Sequence, residues 1–121
     1  MNKRELEDRL INFAVLAIKI AEKMPDTKAG NHLAGQLLRS GTSPALNYGE
    51  AQSGVSIKDF IHKLKISLKE LRESFVCLKI IHLANLYTYE DNLIQAKTEC
   101  NELISIFVKS VETSQKNNNL K

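Results

Sequence analysis

With 121 residues, 43% hydrophobic and 26% charged, the chain is long enough for one domain with its own core and too apolar for a disordered polymer. Its net charge of +3 is mildly basic and falls short of the density that by itself marks a nucleic-acid binder. The absence of tryptophan, with two prolines and five glycines among many Leu, Ile, Lys and Glu, favours helix and leaves strands little to form from.

The start, Met1-Asn2-Lys3-Arg4-Glu5, meets acid at once and lacks the basic, apolar and small-residue order of a signal peptide. The longest apolar run, Phe13 to Ile18, is far below the roughly 20 residues that span a bilayer. We therefore expect a soluble cytoplasmic chain with no membrane partner. The first segment, about Lys3 to Met24, places Leu6, Leu10, Phe13, Ala17, Ile20 and Met24 at alternating spacings of four and three, which is a helix seam. Pro25 stops it, and Thr27 can cap the next helix by accepting backbone N–H bonds.

The second segment, about Lys28 to Gln52, carries Leu33, Leu37, Tyr48 and Ala51 on one side and is interrupted by Gly41 and Pro44. Ser43-Pro44 can restart a helix, or one helix continues with a kink; we expect the kinked continuous helix. Ser53-Gly54 provides a break, and Ser56 with Asp59 three residues on resembles a capping box. The third segment, about Ile57 to Leu86, repeats Ile57, Ile61, Leu64, Leu68, Leu71, Phe75 and Leu78 without a fault. Thr88 can cap a fourth helix carrying Leu93, Ala96, Cys100, Leu103 and Phe107, ending near Glu112. Four amphipathic helices on short connections predict an all-α, antiparallel up-down-up-down four-helix bundle over residues 1–113, with 114–121 a disordered tail.

Two stretches are apolar over most of their circumference: Phe13 to Ala21, broken only by Lys19, and Phe75 to Ala84. A single bundle cannot bury both, so a homo-oligomer is expected. On the second segment Gln36, Ser40, Ser43, Asn47 and Glu50 form a narrow polar row with Arg39 beside it, side chains suited to fixed hydrogen bonds. Antiparallel pairing with a turn near Gly54-Val55 sets Arg39 level with Glu70 and Glu73, and the guanidinium fork favours a carboxylate. These glutamates lie off the Ile57 to Phe75 seam. Either the third helix packs on two faces or the bridge does not form.

On the same helix Lys58, His62, Lys65, Lys69, Arg72 and Lys79 share one face, interrupted only by Val76 and containing no acid. Single-sign rows of this kind hold phosphates, so these six residues are candidate RNA or DNA contacts. Cys77 and Cys100 are too few and too far apart for a zinc framework, and His32, His62 and His82 lack paired ligand spacing, so no metal and no cofactor is expected. The sequence has no Gly-rich phosphate loop and no nucleophile with an adjacent base, so we expect no enzyme. The functional expectation is an oligomeric nucleic-acid-binding scaffold; the rival is a protein-binding adaptor.

The run Gln36-Leu37-Leu38-Arg39-Ser40-Gly41-Thr42-Ser43, followed by Asn47 and Glu50, Asp59-Phe60-Ile61-His62-Lys63-Leu64 and Lys69-Glu70, resembles the four-helix bundle proteins encoded in intervening sequences of bacterial 23S ribosomal RNA genes. That family is similar to the accessory variability proteins of diversity-generating retroelements. The resemblance implies a ring-shaped homopentamer with a basic surface, and association with a reverse transcriptase or nucleic acid.

Overall fold

A computed structural model describes residues 1–53 and 56–119. The expected turn at Gly54-Val55 lies outside the described residues. The chain forms four helices in order, α1 (Lys3–Glu22), α2 (Lys28–Ala51), α3 (Ile57–Leu83) and α4 (Glu90–Asn119). No helix among the described residues is long and apolar enough to cross a membrane.

Local chemistry fixes the helix starts. The Asn2 side chain accepts from the Glu5 amide, Thr27 from Gly30 and Ser56 from Asp59, each satisfying one of the amides a first turn leaves free. At α4 the backbone replaces the expected Thr88 cap: the Thr88 carbonyl accepts from the Glu90 amide, and the Tyr89 carbonyl from Asn92 and Leu93. The helix ends differ from the sequence expectation in two places. α3 stops at Leu83 rather than Leu86 because Asn85 adopts a left-handed φ of 54°. The Asn85 amide then donates to the His82 carbonyl and the Leu86 amide to Ile81, the paired bonds that close a helix on a left-handed residue. α4 runs past Glu112 to Asn119, and residues 114–119, expected in a tail, lie in the helix. Val111 is buried there, and Gln115, Asn118 and Asn119 line a shallow recess with Lys58 and Ile61 of α3.

α2 passes through Pro44 as one helix, and the proline ring is buried. Its role is at a seam: the Pro44 carbonyl accepts from the buried Ser67 hydroxyl at 3.3 Å. Three residues before Pro44, Gly41 allows α1 and α2 to approach, since a Cβ there would stand 2.5 Å from the Cβ of Ala17.

The core joins Leu6, Leu10, Phe13, Ala17 and Ile20 of α1, Leu37 and Tyr48 of α2, Leu64, Leu71, Leu78 and Ile81 of α3, and Leu93, Ala96, Cys100, Leu103 and Phe107 of α4. These are the stripes the periodicity predicts, although Ile57 is exposed and Leu68 and Phe75 are half-buried. Tyr48 and Phe107 meet edge to face, 5.8 Å between centroids, a favoured arrangement of aromatic quadrupoles. Each helix packs on its neighbours in the chain, and the sparser α1–α4 seam closes the circuit. There Arg9 donates to Glu99 and Glu102, and its pKa rises, first through the Glu99 hydrogen bond.

Candidate nucleic-acid interface

α3 packs on two faces within one chain. Its leucine stripe enters the core. A second stripe, Ser67, Glu70, Ser74, Cys77 and Ile81, recurs at spacings of three and four and is also buried. The hydroxyl of Ser67 donates to the Pro44 carbonyl, Ser74 to the Ser40 hydroxyl at 2.9 Å, and the Cys77 thiol to the Leu33 carbonyl at 3.6 Å. Partners descend α3 as they ascend α2. Small side chains let the two backbones come close, and the buried hydroxyls of this seam, Ser40, Ser67 and Ser74, are paired.

This register sets Arg39 over Glu70 and Glu73. Nη1 donates to Glu70 at 2.8 Å, and Nη2 to Glu73 at 2.9 Å and to Gln36 at 3.1 Å. The two carboxylates raise the Arg39 pKa, with the Glu73 hydrogen bond the largest cause. The bridge is one-sided: the Glu70 side chain is 11% exposed and the Arg39 side chain 54%. Solvent reaches the guanidinium, so screening weakens this pair relative to a buried one.

The other polar residues of α2 do not join this cluster. Ser40 turns inward to Ser74, the Asn47 amide donates to the Ser43 carbonyl and hydroxyl, and Glu50 accepts from Lys63 at 2.6 Å. The expected row therefore resolves into separate local arrangements. Only Gln36, Arg39, Glu70 and Glu73 share one set of bonds.

Beside that cluster lies a groove of about 810 Å³ between α2 and α3. His32, Gln36 and Arg39 line it from α2, and Lys65, Lys69 and Arg72 from α3. Between them are Leu33, Leu68, Val76 and Ile80, with Ser40 and Cys77 beneath. Burial pushes the Cys77 thiol pKa up. Lys65, Lys69 and Arg72 are exposed and have no ion-pair partner among the described residues. Glu73, the acid in the groove lining, is already held by Arg39.

The structure divides the six-residue basic row. Lys65, Lys69 and Arg72 share the groove, whereas Lys58 lines the recess beside Asn118 and Asn119. Lys79 stands 5.2 Å over the Phe75 ring, a cation–π contact, and His62 is exposed outside the groove. Sequence reasoning missed the apolar wall and His32 as parts of one groove. It also missed Ser67, Ser74 and Cys77, whose signal was the second three-four stripe written in small polar residues.

Residues 4–109 match the model of the 23S rRNA-intervening sequence protein family. A crystal structure of a protein with unknown function from the S23 ribosomal protein family of Bacteroides thetaiotaomicron VPI-5482 is similar at a TM-score of 0.82 and 27% identity. That similarity covers 93% of this chain and 99% of the other. A comparison with curated proteins finds no match. The Gln36, Arg39 and Glu70 residues that carried the resemblance are those joined in the cluster, and with the family model matching most of its length, the chain belongs to the 23S rRNA-intervening sequence protein family.

Proposed function

We propose that this protein is a non-enzymatic, oligomeric scaffold that binds nucleic acid through α3. The observation that carries this reading is the set of three unpaired cations, Lys65, Lys69 and Arg72, along one wall of the α2–α3 groove. Cations without acidic partners keep their charge available for phosphates, and releasing the polymer's counterions drives such binding. The family's name makes ribosomal RNA the first polymer to test. On this reading the subunit is an antiparallel up-down-up-down bundle acting in the cytoplasm, and copies assemble as a ring, with the homopentamer implied by the resemblance as the expected state.

Assembly is supported by an apolar strip on α1. Ile11, Val15 and Ile18 stand at spacings of four and three and are 46%, 43% and 39% exposed, away from the buried seam of the same helix. An aligned apolar strip on a surface helix marks a contact. Light scattering of the wild type should give a mass several times that of one chain, and Val15→Lys should lower it. A single-chain mass for the wild type at micromolar concentration would remove the oligomer from the proposal.

For the binding function, K65Q/K69Q/R72Q should weaken RNA binding and preserve helicity and mass, because all three side chains lie outside the core. Each lost phosphate contact should lower the slope of log affinity against log salt by about 0.7 for a single strand or 0.9 for a duplex. Equal affinity and slope for wild type and variant would transfer the groove to a protein partner, the adaptor reading that its apolar wall supports.

A further inference from the structure

Given that nucleic-acid reading, we infer that the α2–α3 groove takes a single strand rather than a duplex. The α3 side of the groove has two unlike stretches. Lys65, Lys69 and Arg72 lie within two turns of helix, a rise of about 10 Å, enough for about two or three phosphates of one strand. Leu68 lies beside them, and Val76 and Ile80 continue the same helix face toward the C-terminal end of α3, 52% and 45% exposed, with Leu33 across the groove on α2.

A duplex turns its phosphates outward and stacks its bases inside. It satisfies exposed cations on a flat or convex face, and it offers no apolar surface to a recessed wall. A single strand can lay its backbone along the lysines and turn sugar and base faces onto Val76 and Ile80, removing apolar surface from water on both sides. No Phe, Tyr or Trp is among the groove's lining residues, and the one aromatic ring there is the His32 imidazole on α2. Contact at Val76 and Ile80 is by apolar area, which carries little sequence preference. The Arg39 to Glu73 bond keeps the groove's acid neutralised, so a strand entering between α2 and α3 meets the α3 cations and no free carboxylate among the lining residues.

The test is fluorescence anisotropy with labelled 12-nucleotide oligouridylate, 12-nucleotide oligothymidylate and a 12-base-pair RNA duplex, across a salt series. The proteins are wild type, V76N/I80N and K65Q/K69Q/R72Q, with helicity and solution mass measured for each. Wild type should bind the single strands about tenfold or more tighter than the duplex. V76N/I80N should lose about tenfold on single strands with an unchanged salt slope, and leave duplex binding as it was, since apolar burial adds affinity without releasing counterions. K65Q/K69Q/R72Q should flatten the slope for both. If duplex and single strands bind alike, or V76N/I80N binds as wild type while the charge variant weakens, the basic wall stands alone and the single-strand inference falls. A lower mass for V76N/I80N assigns those residues to a subunit contact and also overturns it. If wild type binds none of the probes at low salt, the nucleic-acid reading falls with it.

Discussion

Ser40 and Gly41 are adjacent on α2 and serve opposite kinds of seam. Gly41 faces α1, where Ala17 comes so close that no side-chain atom fits, and that seam is held by shape. Ser40 faces α3, where its hydroxyl meets Ser74 and its neighbours supply the Pro44–Ser67, Leu33–Cys77 and Arg39–Glu70 bonds. Both seams require small residues for close approach. They differ in what a wrong residue costs: volume on one side, an unpartnered polar group on the other. The groove opens beside the polar seam, so the side chains that align α2 on α3 also set the distance between its two walls.

The sharpest way to break the comparison is to add volume at the first seam. Gly41→Val places carbon where Ala17 already stands, and α1 must shift or the helices must part. Overpacking of this kind costs about 3 kcal/mol. Urea denaturation should show the unfolding free energy falling by that amount, and Ala17→Gly in the same chain should recover part of it. If Gly41→Val is as stable as wild type, the α1–α2 seam is looser than its geometry states.

A second prediction uses the thiols that donate across seams on both faces of α3. Cys77 donates to Leu33 of α2, and Cys100 donates to the Leu71 carbonyl at 3.1 Å from α4. Burial is the first cause of the Cys100 shift and pushes the thiol up to about 12, whereas a thiol in the unfolded chain ionises near 8.5. The folded pKa is raised, so this contribution to stability is complete below about pH 8.5 and is lost as pH rises toward 12. Between those values the unfolded state gives up a proton the native state keeps, a loss of about 1.4 kcal/mol per pH unit. Tyr48, raised first by burial, adds a decline of the same sign. Cys100→Ala should therefore start less stable at pH 8 and lose less than wild type between pH 8 and 10. Parallel losses would show that the Cys100 proton is not held by the fold.

How much of this was legible follows from the same contrast. The apolar stripes could be read because Leu64, Leu71 and Leu78 repeat with helical period and have nowhere else to go. The Arg39 bond to Glu70 and Glu73 could be read from register alone, since helix rise and a short turn fix which residues stand level. A second packing face of α3 is one of two alternatives in the sequence, and its residues cannot be read there, because Ser67, Ser74 and Cys77 are as common on solvated faces as on buried ones. Their burial depends on α2 presenting Ser40 and two backbone carbonyls at the matching height. The groove was missed for a related reason. Val76 looked like an interruption in a basic row, and only the position of α2 encloses it, with Leu33 and Ile80, as the apolar part of a groove that begins at the lysines. The end of α3 was overrun because a left-handed Asn85 gives a weaker signal than the glycine usual there.

The smallest effect is also the most discriminating test of the polar seam. Ser40 and Ser74 are 2% and 0% exposed, and their hydroxyls partner each other. Replacing either by alanine removes one atom and leaves the other hydroxyl buried, so Ser40→Ala and Ser74→Ala should each cost about 1 to 2 kcal/mol. Replacing both removes the stranded group as well, and the double variant should be within about 0.5 kcal/mol of wild type, because two methyl groups satisfy each other where one hydroxyl cannot. The double variant then costs less than the sum of the singles, and the coupling in the full cycle has the size of the two stranded hydroxyls together, about 2 kcal/mol. A purely steric seam would give a different pattern, with two small independent losses that add. If the double variant falls by the sum of the singles, the serines act as spacers, like Gly41, and α2 meets both neighbours by shape alone.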